Sequence, residues 1–167
     1  MNIVVLGAGT VGTSIADLLC QHRHNVIVVD HDGENIAGIN ERLDVRAIHG
    51  SASQSSVLFQ AGVASADLCL AVTGNDEVNL IAASLAKAMG ALRTVARVYA
   101  PVYNDLSTFD YQRHFHIDRL LSLEHLSAIE IAHNIRHPGS VAMEHFARGE
   151  LEVDEIEVTE KVPTLGK

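Results

Sequence analysis

The sequence predicts an α/β fold, a Rossmann-like doubly wound parallel sheet of six strands, followed by a helix and short C-terminal strands. Three observations predict it. Apolar runs of strand length alternate with helical periodicities along most of the chain. A Gly-x-Gly-x-x-Gly turn, Gly7-Ala8-Gly9-Thr10-Val11-Gly12, joins the first run to the first helix. The second run, Val26-Ile27-Val28-Val29-Asp30, ends in a carboxylate 18 residues past Gly12, close to the spacing at which an acidic residue meets an adenosine ribose.

The elements follow in order. Strand Ile3–Leu6 leads into the glycine turn, where each glycine serves a separate physical need. Gly7 permits the tight turn, Gly9 lets backbone approach a pyrophosphate, and Gly12 lets the helix pack closely. The helix beginning near Val11 directs its free N–H groups and positive dipole end at a phosphate. Asn35–Leu43 carries Ile36, Ile39 and Leu43 at helical spacing, and Val45–His49 is a short strand. Ser53–Ala61 is a helix with Ser53 as a cap residue and Gly62 as its stop. Leu68–Val72 is the fourth strand. Asn75–Met89 is a long helix with Val78, Ile81, Ala82, Leu85 and Met89 on one face, closed by Gly90. Thr94–Val98 is the fifth strand, Pro101 opens a helix through about His114, and Arg119–Ser122 is the sixth strand. Helix Leu123–Arg136 ends at His137-Pro138-Gly139.

In such a sheet ligands bind beyond the carboxyl ends of the strands, where strand order reverses. Gly50-Ser51-Ala52, Thr73-Gly74-Asn75 and Arg97 all fall at such ends, with Asp30 and His31 at the end of the second strand. Small residues there leave room for a base and ribose, Thr73 and Asn75 supply hydrogen bonds, and Arg97 can neutralise a phosphate. Ser53 and Asn75 are also expected to cap helices. The candidate cofactor-binding set is Gly7, Ala8, Gly9, Thr10, Val11, Gly12, Asp30, His31, Ser51, Ala52, Thr73, Gly74, Asn75 and Arg97.

Bulk properties narrow the function. The chain has 167 residues, 47% hydrophobic, and a net charge of −9 with histidines neutral. That suits one full-core domain with a short appendage. An acidic chain with scattered Lys and Arg does not fit a nucleic-acid or anionic-membrane binder. No apolar run reaches the roughly 20 residues needed to cross a bilayer, and the N-terminus lacks a basic leader region, so a cytoplasmic protein without direct membrane insertion is expected. Cys20 and Cys69 are too few for a disulfide framework and read as small core hydrophobes. The ten histidines include no pair at metal-ligand spacing and read as solvated surface groups; His125 and His133 lie eight apart, too far for one ion.

Domain 1–139 is followed by segment 140–167, where the composition changes. Val141–Phe146 is a short extended run, and Glu150–Val158 alternates apolar and acidic residues with a phase slip at Asp154-Glu155 that suggests a bulge. Such a strand must pair, either with Val141–Phe146 or with another chain. The segment reads as a strand and linker leading into a C-terminal domain beyond this chain. Helix Leu123–Arg136 carries an apolar stripe of Leu126, Ile129, Ala132 and Ile135, extended by Ile131. It can fold back on the sheet or pack on a symmetry mate, and the isologous geometry of homodimers favours the second.

These motifs together resemble the KTN, or RCK N-terminal, domain family of Trk-system potassium-uptake regulators. The matching stretches are Val5–Gly12, Val28-Val29-Asp30, Gly50–Ser53, Val57-Leu58, Ala61-Gly62, Ala66-Asp67, Ala71-Val72-Thr73, Asp76-Glu77-Val78-Asn79 and Ala96-Arg97-Val98. Pro101, Tyr103, and residues from Ile117-Asp118 through Glu130-Ile131-Ala132 to Pro138-Gly139 complete them. The resemblance implies a cytosolic, non-enzymatic regulatory subunit that binds NAD(H) or an adenine nucleotide (ATP or ADP). It implies homodimers or a higher ring beneath a membrane potassium transporter subunit. The chain departs from the family pattern at two places: Ser51 stands where Asp is frequent, and Tyr99-Ala100 replace a second Arg and an Asp before Pro101. With one cation fewer to balance a triphosphate, NAD(H) ranks ahead of ATP, and ADP is a further candidate. The competing function is the cofactor-binding half of an NAD-dependent oxidoreductase, but only about 45 residues follow the sixth strand and they hold no acid–base constellation.

Overall fold

The computed structural model describes residues 1–136, 140–146 and 151–156. Six strands form one all-parallel sheet: β1 (Asn2–Leu6), β2 (Asn25–Asp30), β3 (Arg46–His49), β4 (Leu68–Ala71), β5 (Thr94–Arg97) and β6 (Arg119–Leu121). Their spatial order is β3-β2-β1-β4-β5-β6, so the chain reverses direction across the sheet between β1 and β4. That is the expected doubly wound order, with its switch point beside the glycine turn. β1 lies centrally and is covered on both faces, which is why Ile3, Val4, Val5 and Leu6 are all buried and no alternation appears.

The covering helices are α1 (Thr10–Gln21), α2 (Gly33–Arg42), α3 (Ser55–Gln60), α4 (Asp76–Met89) and a single turn, α5 (Tyr111–His114). One face of β1 packs, through Ile3 and Val5, with Ala16 of α1 and Ile39 of α2. The other packs, through Val4 and Leu6, with Leu58 of α3 and Leu80, Ala82, Ala83 and Ala86 of α4. Cys69 lies in this second core, where burial raises its thiol pKa to about 12, and Cys20 packs half-buried on the first. Both behave as small apolar side chains.

Several boundaries and one element differ from expectation. α3 starts at Ser55 behind Gln54, so Ser53 does not cap it; its hydroxyl instead pairs with that of Ser51 at 3.0 Å. Gly62, at φ +69°, and Gly90, at φ +119°, do stop their helices in the left-handed conformation. On α4, Val78, Ala82, Leu85 and Met89 of the expected stripe pack on the core, and one member departs. Ile81 is exposed, while Asn79 joins Leu80, Ala83 and Ala86 on the buried face. The helix expected from Pro101 to about His114 is instead a 3-10 turn at Pro101–Asn104, irregular chain, and α5. The Asp105 carboxylate accepts the Ser107 N–H at 2.9 Å and that of Asp110 accepts the Arg113 N–H at 2.9 Å. Such local bonds compete with a continuous helical ladder.

The chain divides into two compact units after Leu123. The second holds all but the first residue of α6 (Leu123–Arg136), together with an antiparallel pair, β7 (Ser140–Phe146) and β8 (Leu151–Ile156). α6, expected in the first domain, thus groups with the C-terminal strands. The acidic strand pairs with its own neighbour, and the bulge lies on β7 between Ser140 and Ala142, facing Ile156 and Glu155. His133 is buried, against the expectation of solvated histidines, whereas Leu126, Ile129, Ile131 and Ile135 are exposed. His137-Pro138-Gly139, Glu157-Val158 and the run from Pro163 to Lys167 lie outside the described residues.

Candidate functional site

The glycine turn follows β1 at the switch point. Gly7 sits at φ +110°, where an L side chain is strained, and a Cβ there would meet the Thr73 amide at 2.9 Å. A Cβ on Gly12 would overlap the Gly7 carbonyl oxygen. The fold itself therefore demands these two glycines. Gly9 is different: its φ of −69° and ψ of −169° suit any residue, and an added Cβ meets nothing within 4 Å. No neighbour among the described residues accounts for it, so the open space above Gly9 is where an outside group can approach the backbone.

The helix behind that space ends openly. α1 has no side-chain cap and no acidic residue in its first turn. By contrast, α2 is capped by Asp32 and α4 by Asn75, whose Oδ1 accepts the Val78 N–H at 2.8 Å, and both carry acids in their first turns. The bare amides and positive end of α1 suit an anion.

Asp30 closes β2 and is 6% exposed. Its Oδ2 accepts the Ala8 N–H at 2.6 Å, and its Oδ1 accepts the Asp32 N–H at 2.8 Å and lies 3.2 Å from His31 Nδ1. A carboxylate offers about four acceptor directions, so it can brace the turn and still receive a ligand hydroxyl.

Two adjoining lobes open here. One, of about 360 Å³, is lined by Gly7, Gly9, Thr10, Val11, Arg97 and Tyr99. The other, of about 330 Å³, is lined by Val29, Ser51, Ala52, Asn75 and Val78. Both share Asp30, His31, Thr73 and Gly74. Of the residues expected from sequence, only Ala8 and Gly12 line neither lobe. Ala8 is buried and donates to Asp30, and Gly12 lies beneath the turn.

Sequence reasoning misses the residues that hold these loops. Asn79 is 0% exposed and uses its whole amide. Oδ1 accepts the Thr73 N–H at 2.8 Å and the Thr73 hydroxyl at 2.7 Å, while Nδ2 donates to the carbonyls of Thr73 at 3.0 Å and Arg97 at 2.9 Å. Asp76, also buried, accepts the N–H groups of Tyr99 and Ala100, each at 2.9 Å. α4 thus braces the ends of β4 and β5 together. The one signal in the sequence is a pair of polar residues three apart at the start of an otherwise apolar helix face. Tyr99 reads in sequence only as a missing cation, yet its ring lies 3.9 Å from the Arg97 guanidinium carbon. Among the described residues no group of three or more His, Cys, Asp or Glu side chains is placed to hold a metal, and no helix is long and apolar enough to cross a membrane.

Fold and site define a doubly wound α/β domain with an anion-receptive crevice at the switch point. The TrkA-N domain family model matches residues 3–110, and the chain belongs to that family. The Trk system potassium uptake protein TrkA of Halomonas elongata is 34% identical over 168 residues, covering 100% of this chain and 37% of that protein. The TrkA homolog of Archaeoglobus fulgidus is 39% identical over 167 residues, covering 100% of this chain and 38% of that protein. The chain therefore spans little more than a third of these relatives. Among solved structures, the TrkA-N domain of the Escherichia coli inner membrane protein ybaL superposes with a TM-score of 0.68 at 17% identity, over 78% of this chain and 93% of that one. The GsuK channel bound to NAD superposes with a TM-score of 0.69 at 19% identity, over 87% of this chain and 25% of that one. At these identities the structures support the fold.

Proposed function

We propose that this chain is the nucleotide-sensing part of a potassium-uptake regulator, binding NAD(H) ahead of ADP or ATP. The observation that carries the reading is Gly9: a glycine required neither by its backbone angles nor by any neighbour, set over an uncapped helix end. The rest of the crevice fits the same ligand. Val29, Ala52 and Val78 provide apolar contact for adenine, Asp30 an acceptor for a ribose hydroxyl, and the α1 amides with Arg97 compensation for a pyrophosphate. The site residues so assigned are those in the two lobes, with Ala8 and Gly12 as their support. Membership of the TrkA-N family, and the 34% and 39% identity to Trk potassium-uptake proteins, support the regulatory role. The structure of the GsuK channel bound to NAD supports a dinucleotide on this type of fold.

A regulator needs two arrangements that the ligand binds unequally. The exposed stripe of Leu126, Ile129 and Ile135 on α6 supports a homodimer or larger ring as the element that shifts. Through such an assembly the protein would act at the cytoplasmic face of a membrane potassium transporter. Calorimetric titration with NAD⁺, NADH, ADP and ATP, beside an assay for NADH oxidation by small carbonyls, tests the reading. Saturable binding without turnover supports it. Turnover with any carbonyl would favour a reductase instead.

A further inference from the structure

Among the described residues Arg97 is the one Lys or Arg lining the lobe of about 360 Å³, while Arg42 lines a separate cavity of about 410 Å³ that also borders Ala8, Gly9 and Thr10. Its neighbourhood is unusually well fixed. Asn79 holds the Arg97 carbonyl at 2.9 Å, and two residues on Asp76 holds the Tyr99 amide at 2.9 Å, both from the buried face of α4. The backbone that carries the two side chains is therefore clamped at both ends by a single helix. Between the clamps the Arg97 guanidinium lies over the Tyr99 ring at 3.9 Å from its centroid, well inside the range of a cation–π contact. Both side chains line the same cleft as Gly9, Thr10 and Val11.

We propose that Tyr99 is a positioning residue that sets ligand choice: it holds the Arg97 guanidinium where a diphosphate seated on the α1 N-terminus meets it. The inference rests on the nucleotide reading above and deepens it. A swinging arginine side chain loses rotamer entropy on meeting an anion. Stacked on an aromatic face it is already oriented, so less of the attraction is lost in ordering it. Stacking engages the face of a guanidinium plane whereas phosphate oxygens are met at its edge, so the two kinds of contact do not compete for the same atoms. A second arginine at position 99 would add charge but would repel Arg97 instead of seating it. Tyr99 thus favours a ligand with two phosphates spread between helix and guanidinium over one with concentrated terminal charge. A nucleoside without phosphate gains nothing from the pair.

The test titrates adenosine, ADP and NAD⁺ into the wild-type chain and into Tyr99→Ala, Tyr99→Leu and Tyr99→Phe. Loss of the ring should weaken ADP and NAD⁺ by about 3- to 30-fold, the span of a cation–π contact from exposed to desolvated settings. Adenosine should shift by less than about twofold on that account, since it makes no phosphate contact. Tyr99→Leu keeps bulk without a π face and should behave as Tyr99→Ala, whereas Tyr99→Phe should restore wild-type affinity. Equal loss for adenosine and ADP, or no loss in Tyr99→Ala, overturns the positioning role while leaving the nucleotide site intact. Absence of any binding by the wild-type chain overturns both.

Discussion

Asp30 Oδ2 accepts the backbone N–H of Ala8 at 2.6 Å, so the carboxylate that tips β2 also braces the middle of the glycine turn. One side chain thus serves two ends: it shapes the phosphate loop and presents its remaining lone pairs to the crevice. Asp30→Ala should lower stability by about 1–3 kcal/mol, the cost of stranding a buried N–H, and weaken adenosine ligands by a similar amount. Thermal melts and calorimetry on the same preparation check both. The same charge should make NADP(H) bind more weakly than NAD(H), because a 2′-phosphate would face a carboxylate; equal affinities would contradict it.

Two glycines of the turn, Gly9 and Gly12, should separate cleanly. Gly9→Ala should leave stability within about 0.5 kcal/mol of wild type, as expected where nothing is crowded, yet cut nucleotide affinity at least about tenfold by blocking backbone approach. Gly12→Ala, whose Cβ overlaps the Gly7 carbonyl, should destabilise by about 1–3 kcal/mol. Parallel denaturant curves and titrations distinguish the two, and a destabilised Gly9→Ala would remove the argument drawn from its open surroundings.

Asn79 makes four hydrogen bonds from a fully buried position. Asn79→Ala should cost about 2–3 kcal/mol, since Thr73 and Arg97 keep polar groups with no replacement partner. Asn79→Asp should fare no better, because a carboxylate cannot donate to the Thr73 and Arg97 carbonyls. Urea midpoints measure this, and rapid exchange of the Thr73 amide in either variant would identify the loosened loop.

Lys87 Nζ lies 2.8 Å from Asp118 Oδ2, and Asp118 also accepts the Thr94 N–H at 2.7 Å, tying α4 and β5 to the approach to β6. Burial works to raise the Asp118 pKa, but the Lys87 ammonium and the Thr94 donors outweigh it and hold the carboxyl below its usual value. A lowered folded pKa gives stability that is present above the unfolded value and lost as pH falls through the folded one. The melting-temperature gap between wild type and Asp118→Asn should therefore be open at neutral pH and close below about pH 4. A gap constant from pH 7 to pH 3 would assign the contribution to neutral hydrogen bonds.

The exposed stripe of α6 carries the assembly proposal. Ile129→Glu places a charge in its middle and should shift the chain toward monomer in sedimentation velocity. Dimers that survive the substitution would place the contact on another surface.

The glycine turn, Asp30 and the strand-end loops are legible in the sequence because each is a local pattern, whose spacing alone sets its geometry. Asn79 and Asp76 are not, because they join the loop at Thr73 to the distant end of β5, at Arg97, Tyr99 and Ala100. A polar residue near a helix start reads as solvated or as a cap, and only the fold turns it inward. The β5–β6 crossover misleads for a related reason: Pro101 is a fair helix starter, but Asp105 and Asp110 bind nearby amides and break the run. On α4 the exposed Ile81 shifts the apparent apolar face away from Asn79 and Ala83. Tyr99 looks like a lost cation because sequence cannot reveal that its ring supports the cation that remains.

The most direct measurement is a ¹H–¹⁵N amide-shift titration of the chain with NAD⁺. The account predicts saturable shifts concentrated on the backbone of Gly7–Gly12, Asp30-His31, Ser51-Ala52 and Thr73–Asn75. An unchanged spectrum at millimolar nucleotide, or shifts gathered on a surface that excludes Gly9, would contradict it.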